Sequence, residues 1–350
     1  MGSQMSVNGM SRRSVVGAAV GLGVVAGAAA MPVGEAAAAE RASSAAGRRP
    51  DPRTVLITGC SSGFGYLTAM TLARSGHRVF ASMRNTRTAN AGVARELLSL
   101  ARDEDLAIEV VDIDITDERS VERGVEFVQR RARRIDVLFN NAGVFSPAVL
   151  ETLTIEDLKK SFDTNLFGHL RMNRAVLPAM REHGEGLVIQ MSTALGRFVL
   201  PFMGPYVGAK WALEGVTESL RYELAPFGVE VVVVEPGGYV TEFLEPNGRR
   251  YYREYLQGLS RQDAHRRRQY GELAERPEFH LEPGGASTNP QEIADAVASV
   301  VRTPHGQRPL RLVGPGMEFL ADINEGAQEI SRMVMEQDGW GDLLEIAPRP

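Results

Sequence analysis

The sequence predicts an α/β fold: a doubly wound, mostly parallel sheet of seven strands with helices on both faces. From Arg53 onward, short apolar runs alternate with segments of helical spacing, the pattern of strand–helix–strand units joined by right-handed crossovers. Val231–Val234 places four β-branched residues in a row, as expected for a strand buried on both faces of a parallel sheet. Ligands of such sheets bind at the carboxyl ends of the strands, so functional residues are expected there.

Seven buried strands are predicted in chain order, at 54–58, 78–83, 108–112, 137–140, 187–191, 230–235 and 310–313. Helical spacing is clearest at 67–75, 120–131 and 206–224, and a further helix is predicted to begin near Pro290. The segment from about 243 to 290 interrupts this alternation with polar, aromatic and arginine residues. It is predicted to be a substrate-loop insertion at the functional edge of the sheet. A solvated helical insertion with charge pairs along its surface is the open alternative.

The chain is predicted to consist of three segments: an export signal at 1–39, a linker at 40–52 and a single domain at 53–350. Arg12 and Arg13 precede an uncharged stretch, 14–34, and alanines follow it, as in twin-arginine-type export signals. Export to the periplasm or the extracellular space is therefore expected, with no stable membrane span after cleavage. An uncleaved membrane anchor and a cytoplasmic location are the alternatives.

The composition excludes several classes of protein. The net charge is −5 and there is no basic excess, so no nucleic-acid partner is expected. Cys60 is the single cysteine, which excludes an intrachain disulfide, and the histidines show no metal-ligand spacing, so no metal site is expected. Cys60 itself is interpreted as a small residue of the loop in which it lies.

A glycine-rich loop follows the first predicted strand and opens a helix. Glycines at such a junction permit positive φ and let the backbone approach a pyrophosphate, while the helix N-terminus supplies free N–H groups. The residues predicted to bind a dinucleotide here are Gly59, Ser61, Ser62, Gly63, Phe64 and Gly65. Their Gly-x-x-x-Gly-x-Gly spacing differs from the Gly-x-x-Gly-x-x-Gly that an extended-type sugar-nucleotide epimerase would have.

Further motifs follow this loop in order, and together they resemble the compact branch of the short-chain dehydrogenase/reductase family, in particular its retinol and hydroxysteroid dehydrogenase-like members. The motifs contain Asp114 and Ile115; Asn141, Ala142 and Gly143; Asn165; Tyr206 and Lys210; and Pro236 and Gly237. The resemblance implies a Rossmann sheet, NAD(P) bound by these residues, and interconversion of an alcohol and a carbonyl group. It also implies a small-molecule substrate of apolar character and a homodimer or homotetramer. Candidate residues for an apolar pocket wall are Phe198, Phe202, Met203 and Tyr239, with ordinary packing as the open alternative for each.

The residues after the second strand favour NADP over NAD. An acidic residue there would accept hydrogen bonds from the adenosine ribose of NAD, but Met83 and Arg84 occupy this position. A guanidinium binds a 2′-phosphate through paired, charged hydrogen bonds. Arg84 is therefore predicted to bind the phosphate of NADP, with Arg87 as a second candidate beside it. A solvated loop residue is the open alternative for Arg84.

Tyr206 and Lys210 are four residues apart and share one face of a predicted helix. An ammonium beside a phenol lowers the pKa of the phenol and makes it a usable acid or base near neutral pH. Tyr206 is therefore expected to exchange a proton with the substrate oxygen. By resemblance, Lys210 also binds the nicotinamide ribose and Asn165 holds a proton-relaying water.

The family pattern requires a serine thirteen residues before the tyrosine, and this chain has Thr193 there. A threonine hydroxyl offers the same donor and acceptor, so Thr193 is predicted to contact the substrate, with Ser192 as the alternative if the register shifts. This departure leaves open a second function class, a dinucleotide-binding sensor or scaffold without turnover.

Overall fold

The computed structural model describes residues 52–145, 147–281 and 289–348. Its centre is a seven-stranded sheet, in the order β3-β2-β1-β4-β5-β6-β7, with every neighbouring pair parallel. The strands are β1 (Thr54–Ile57), β2 (Arg78–Met83), β3 (Ile108–Asp112), β4 (Val137–Asn140), β5 (Gly186–Met191), β6 (Val229–Glu235) and β7 (Arg311–Val313). The predicted doubly wound Rossmann sheet is confirmed.

Helices cover both faces of this sheet. They are α1 (Gly63–Arg74), α2 (Ala91–Asp103), α3 (Glu118–Ala132), α4 (Ile155–Phe162), α5 (Gly168–His183), α6 (Gly204–Leu224), α7 (Arg249–Gly258), α8 (Arg261–Gln269), α9 (Gln291–Arg302) and α10 (Ala321–Gln337). One apolar core contains side chains of α1, α2 and α9, and a second contains side chains of α3, α5 and α6. The sheet therefore separates two cores, as a doubly wound fold requires.

Strand β6 shows why the sequence pattern predicted this arrangement. All seven of its residues are buried, and successive side chains enter opposite cores: Val232 and Val234 pack with α1 and α9, whereas Val229 and Val231 pack with α5. The period of two along a strand divides one apolar run between both faces.

The strand order reverses between β1 and β4, and the crevice at such a switch point is where ligands bind. The segment after β6 lies beside this crevice and forms α7, α8 and a 3₁₀ segment, Gly271–Leu281. The predicted signal and the linker up to Asp51 lie outside the described residues. Among the residues described, no helix has the length and apolar character that crossing a bilayer demands.

Candidate active site

A cavity of about 870 Å³ follows the carboxyl ends of the strands from the end of β2 to α6. Most of the predicted site residues line it: Gly59, Ser61, Ser62, Gly63, Phe64, Arg84, Asp114, Ile115, Asn141, Ala142, Gly143, Thr193, Tyr206, Lys210, Pro236 and Gly237. Gly65 and Asn165 do not line it, and neither does Arg87. The motifs that are scattered along the chain therefore meet at one cleft.

The loops after β1 and β4 pack so closely that glycine is required. A side chain on Gly59 would place its Cβ 2.8 Å from the Cα of Ala142, and the φ of Gly59 is +73°. At Gly65 the added Cβ would lie 2.4 Å from the carbonyl oxygen of Gly59. Asn141 ties the loops together by donating from Nδ2 to the carbonyl of Thr58 at 2.9 Å. Gly65 thus shapes the loop from behind rather than facing the cavity.

The glycine loop fits a dinucleotide pyrophosphate. Ser62, at the N-cap of α1, makes no side-chain capping bond, and it lines the cavity together with Ser61 and Gly63. The first N–H groups of a helix have no partner within the helix, and they attract anions. The start of α1 therefore presents donors and a partial positive charge to the cleft.

Arg84 and Met83 lie where the adenosine end of a dinucleotide would be expected. Met83 is buried, whereas Arg84 is exposed and donates from Nη2 to the hydroxyl of Tyr251 at 3.2 Å. Asp112 accepts hydrogen bonds from the backbone N–H groups of Asn85 and Thr86, at 3.1 and 3.0 Å. The nearby carboxylate therefore stabilises the loop that carries Arg84.

Tyr206 and Lys210 both lie on α6 and are buried. The Nζ of Lys210 donates to the carbonyl of Met191 at 2.7 Å and lies 5.9 Å from the centroid of the Tyr206 ring. The Tyr206 ring meets the edge of Phe145, with 5.3 Å between centroids. The helix thus holds a phenol and an amine side by side at the end of β5.

Thr193, not Ser192, faces the phenol. Burial raises the pKa of Tyr206, and the neighbouring Thr193 side chain offsets part of that rise. The Thr193 hydroxyl donates to the carbonyl of Pro236 at 3.5 Å and accepts from the N–H of Leu195 at 3.3 Å. The Ser192 hydroxyl lies near the Glu214 carboxylate instead. Both oxygens border Gly196, where an added Cβ would lie 2.9 Å from Ser192 Oγ and 2.7 Å from Glu214 Oε1. Successive residues of an extended strand point in opposite directions, so the two hydroxyls have different neighbours.

The protonation of this pair differs from the sequence expectation. Burial raises the pKa of Tyr206 to about 12 and lowers the pKa of Lys210 to about 7. Burial favours the neutral form of each group. The group that offsets the rise at Tyr206 is the Thr193 hydroxyl rather than the Lys210 ammonium. Near neutral pH the chain's own groups therefore favour the neutral phenol of Tyr206, whereas the Lys210 amine lies close to the midpoint of its titration.

Asn165 occupies a π-helical turn, Asp163–Phe167, between α4 and α5. Its Oδ1 accepts from the N–H of Val144 at 3.0 Å, and its Nδ2 donates to the carbonyl of Val144 at 2.9 Å. The side chain thus fixes the loop after β4. The water relay implied by the resemblance remains a prediction.

Behind Lys210 lies a buried cluster of charges that the sequence interpretation missed. Glu214, one turn further along α6, bonds to Arg311 of β7, which also donates to Glu235 at 2.8 Å and to Glu218 at 2.9 Å. Burial, more than any neighbouring charge, raises the pKa of Glu214. Arg311 is 97 residues from Glu214 and 76 from Glu235 in sequence, and none of these residues lies in a motif, so no local pattern predicts the cluster.

The end of the cavity beside Tyr206 is apolar. Phe145, Phe243 and Tyr206 form one aromatic cluster, with centroids 5.3 to 5.9 Å apart. Of the predicted pocket residues, Phe198, Met203 and Tyr239 line the cavity and Phe202 does not. Phe145 and Phe243 were not predicted, because each lies beyond the nearest motif.

Comparison with known proteins accounts for this combination of loop, tyrosine and lysine. The model of the short chain dehydrogenase family matches residues 53–251. The chain belongs to the short-chain dehydrogenase family. As a member of this family it is an NAD(P)-dependent dehydrogenase that acts on CH–OH groups, as the sequence predicted.

Two relatives and one solved structure show how far the likeness extends. An uncharacterized oxidoreductase of Bacillus subtilis, YusZ, is 32% identical over 267 residues, 76% of this chain and 91% of that protein. Human 17-beta-hydroxysteroid dehydrogenase type 1 is 34% identical over 254 residues, 71% of this chain and 74% of that protein. A short-chain dehydrogenase structure from Streptomyces avermitilis has 27% identity and a TM-score of 0.63, covering 83% of this chain and 98% of that one.

Proposed function

We propose that this short-chain dehydrogenase is NADP-dependent and interconverts an apolar alcohol and its carbonyl compound, with Tyr206 as the acid and base. The observation that carries the proposal is the meeting of Tyr206, Thr193 and Lys210 at the apolar end of the cleft. A glycine loop that fits a dinucleotide lies at the other end of the same cavity.

In this proposal the hydroxyls of Thr193 and Tyr206 hold the substrate oxygen, and Tyr206 donates a proton to it in reduction or removes one in oxidation. A bound nicotinamide supplies or accepts the hydride. Lys210, anchored on Met191 at 2.7 Å, stabilises the tyrosinate whenever its amine carries a proton. The aromatic cluster around Phe145 and Phe243 excludes water and favours an apolar substrate.

The proposed preference for NADP rests on Arg84. No acidic residue occupies the end of β2, and Asp112 is engaged by the loop N–H groups. An exposed guanidinium at this position attracts a phosphate monoester.

The test compares wild type with Tyr206→Phe in the reduction of a panel of aromatic and steroidal ketones. With NADPH the wild type should reduce the ketone, and the rate of the variant should be about 10²- to 10⁴-fold lower while it still binds NADPH. Tyr270→Phe is the matched control, because the hydroxyl of Tyr270 bonds only to the surface residue Glu151 among the described contacts. If NADPH binds, no ketone is reduced and Tyr206→Phe changes nothing, the non-catalytic sensor or scaffold is the better description.

The location and assembly are separate proposals. Arg12 and Arg13 before an uncharged stretch support export through a twin-arginine-type route. Fractionation of cells that express wild type or an Arg12/Arg13→Lys variant tests it, and cytoplasmic recovery of both would remove it. A homodimer or homotetramer, as is usual in the family, would be seen by light scattering of the purified protein.

A further inference from the structure

Helix α7 of the insertion reaches the end of the cavity that contains Arg84. Tyr251 accepts a hydrogen bond from Arg84 Nη2 at 3.2 Å across 167 residues of sequence. The guanidinium of Arg250 lies 4.8 Å from the centroid of the Tyr251 ring. All three side chains line the cavity. Two guanidinium groups therefore flank one phenol at the edge of the cleft.

Among the described residues, the carboxylates of Asp114 and Glu242 line the same cavity but form no ion pair with Arg84 or Arg250. In the described part of the chain Arg250 forms one ion pair, with Glu254 on the same helix at 3.9 Å, and surface ion pairs of this kind are weak. Asp112 accepts its hydrogen bonds from backbone N–H groups of the loop after β2. Asp114 accepts from the N–H and the hydroxyl of Thr116, at 2.9 and 2.7 Å. An anion with several acceptor oxygens would complement the two cations.

Neighbouring residues of α7 fix the position of Tyr251. Tyr252 is buried in a cluster that includes Tyr206, Phe145 and Met203. One turn on, the hydroxyl of Tyr255 lies 2.6 Å from that of Thr152. The helix therefore packs against Tyr206 through Tyr252 and contacts Arg84 through Tyr251, the residue before it.

We infer that Arg250 and Tyr251 complete the recognition of the 2′-phosphate of NADP that Arg84 begins, so that the insertion determines nucleotide specificity. The inference rests on the proposed NADP preference. A phenol both donates and accepts, so Tyr251 can keep its bond from Arg84 and donate its own proton to a phosphate oxygen. Arg250 adds a second positive charge from a segment far from the dinucleotide motifs.

The experiment isolates the phosphate by measuring the binding of 2′,5′-ADP and 5′-AMP to the full chain by calorimetry, with no turnover involved. Arg250→Gln should weaken 2′,5′-ADP binding by about tenfold or more, and Tyr251→Phe by several-fold, because charged hydrogen bonds are lost. Binding of 5′-AMP should stay within about twofold. Thermal melts of each variant verify folding.

Arg253→Gln is the matched control, since it removes the same charge from an exposed position on the same helix that does not line the cavity. Its 2′,5′-ADP affinity should match that of wild type. If Arg84→Gln abolishes the preference for 2′,5′-ADP but Arg250→Gln and Tyr251→Phe leave it unchanged, the insertion has no part in recognition and the inference is wrong. A wild type that binds both ligands equally would overturn the NADP preference itself, and the inference with it.

Discussion

Replacing Arg311 with methionine should destabilise the protein through the carboxylates left behind. Arg311 is buried and bonds to Glu214, Glu235 and Glu218. Methionine occupies similar space without charge, so Glu214 and Glu235, which are both buried, would lose their cation. Removing one partner from a buried ion pair costs about 3–5 kcal/mol. For a domain of this size, that corresponds to a melting temperature lower by on the order of 10 °C.

The assay is urea unfolding of wild type and Arg311→Met at several pH values. Carboxylates left without a cation have a raised pKa in the folded state, so the folded variant binds protons more readily than the unfolded chain. Stability lost at neutral pH is then regained as the pH falls. The deficit relative to wild type should be largest near pH 8 and shrink towards pH 5.

A double variant sharpens the test. Adding Glu214→Gln to Arg311→Met removes one of the orphaned charges and should recover part of the lost free energy of unfolding. Glu214→Gln alone should not stabilise the wild type to the same extent, because Arg311 would then lose a partner. An Arg311→Met variant with the unfolding midpoint of wild type, or a deficit that is the same at pH 5 and pH 8, would refute this account of the cluster.

Three further results are expected. Gly65→Ala should weaken NADPH binding at least about tenfold in a fluorescence titration, because its Cβ would lie 2.4 Å from the carbonyl of Gly59, whereas Gly92→Ala has open space and should bind normally. Thr193→Ser should keep most of the turnover and Thr193→Val should lose about a hundredfold or more; equal rates would show that the hydroxyl is not used. Lys210→Met should raise the urea midpoint of the nucleotide-free protein at pH 7. Burial lowers the pKa of Lys210 in the folded protein to about 7, so the unfolded chain binds more protons than the folded one at this position. The wild type therefore gains stability as the pH rises towards roughly 10, and at pH 7 the buried amine destabilises it. Equal midpoints at pH 7 would contradict this.

The sheet was predictable because its signal is local. The valines of β6 are consecutive, and the predicted bounds of every strand agree with the structure to within one residue at either end. The motif residues were equally predictable from the sequence, since each follows a strand and the carboxyl ends of parallel strands share one edge.

The missed features are contacts between distant parts of the chain. The bond from Arg84 to Tyr251 spans 167 residues and that from Arg311 to Glu214 spans 97. In sequence these side chains look like solvated charges, and only the fold makes them neighbours. The choice between Ser192 and Thr193 also required the structure, because one residue of register exchanges the two faces of a strand.

The burial of Cys60 opens the insertion to selective labelling. It is the chain's sole cysteine and is fully buried in the glycine loop, and burial raises the pKa of its thiol far above the ordinary value, so thiol reagents should not reach it. A cysteine introduced at the exposed Phe279, which lies on the cavity wall within the insertion, would be the single reactive thiol. A fluorophore or spin label attached there would report, without any background signal to subtract, how the insertion responds to each half of the nucleotide.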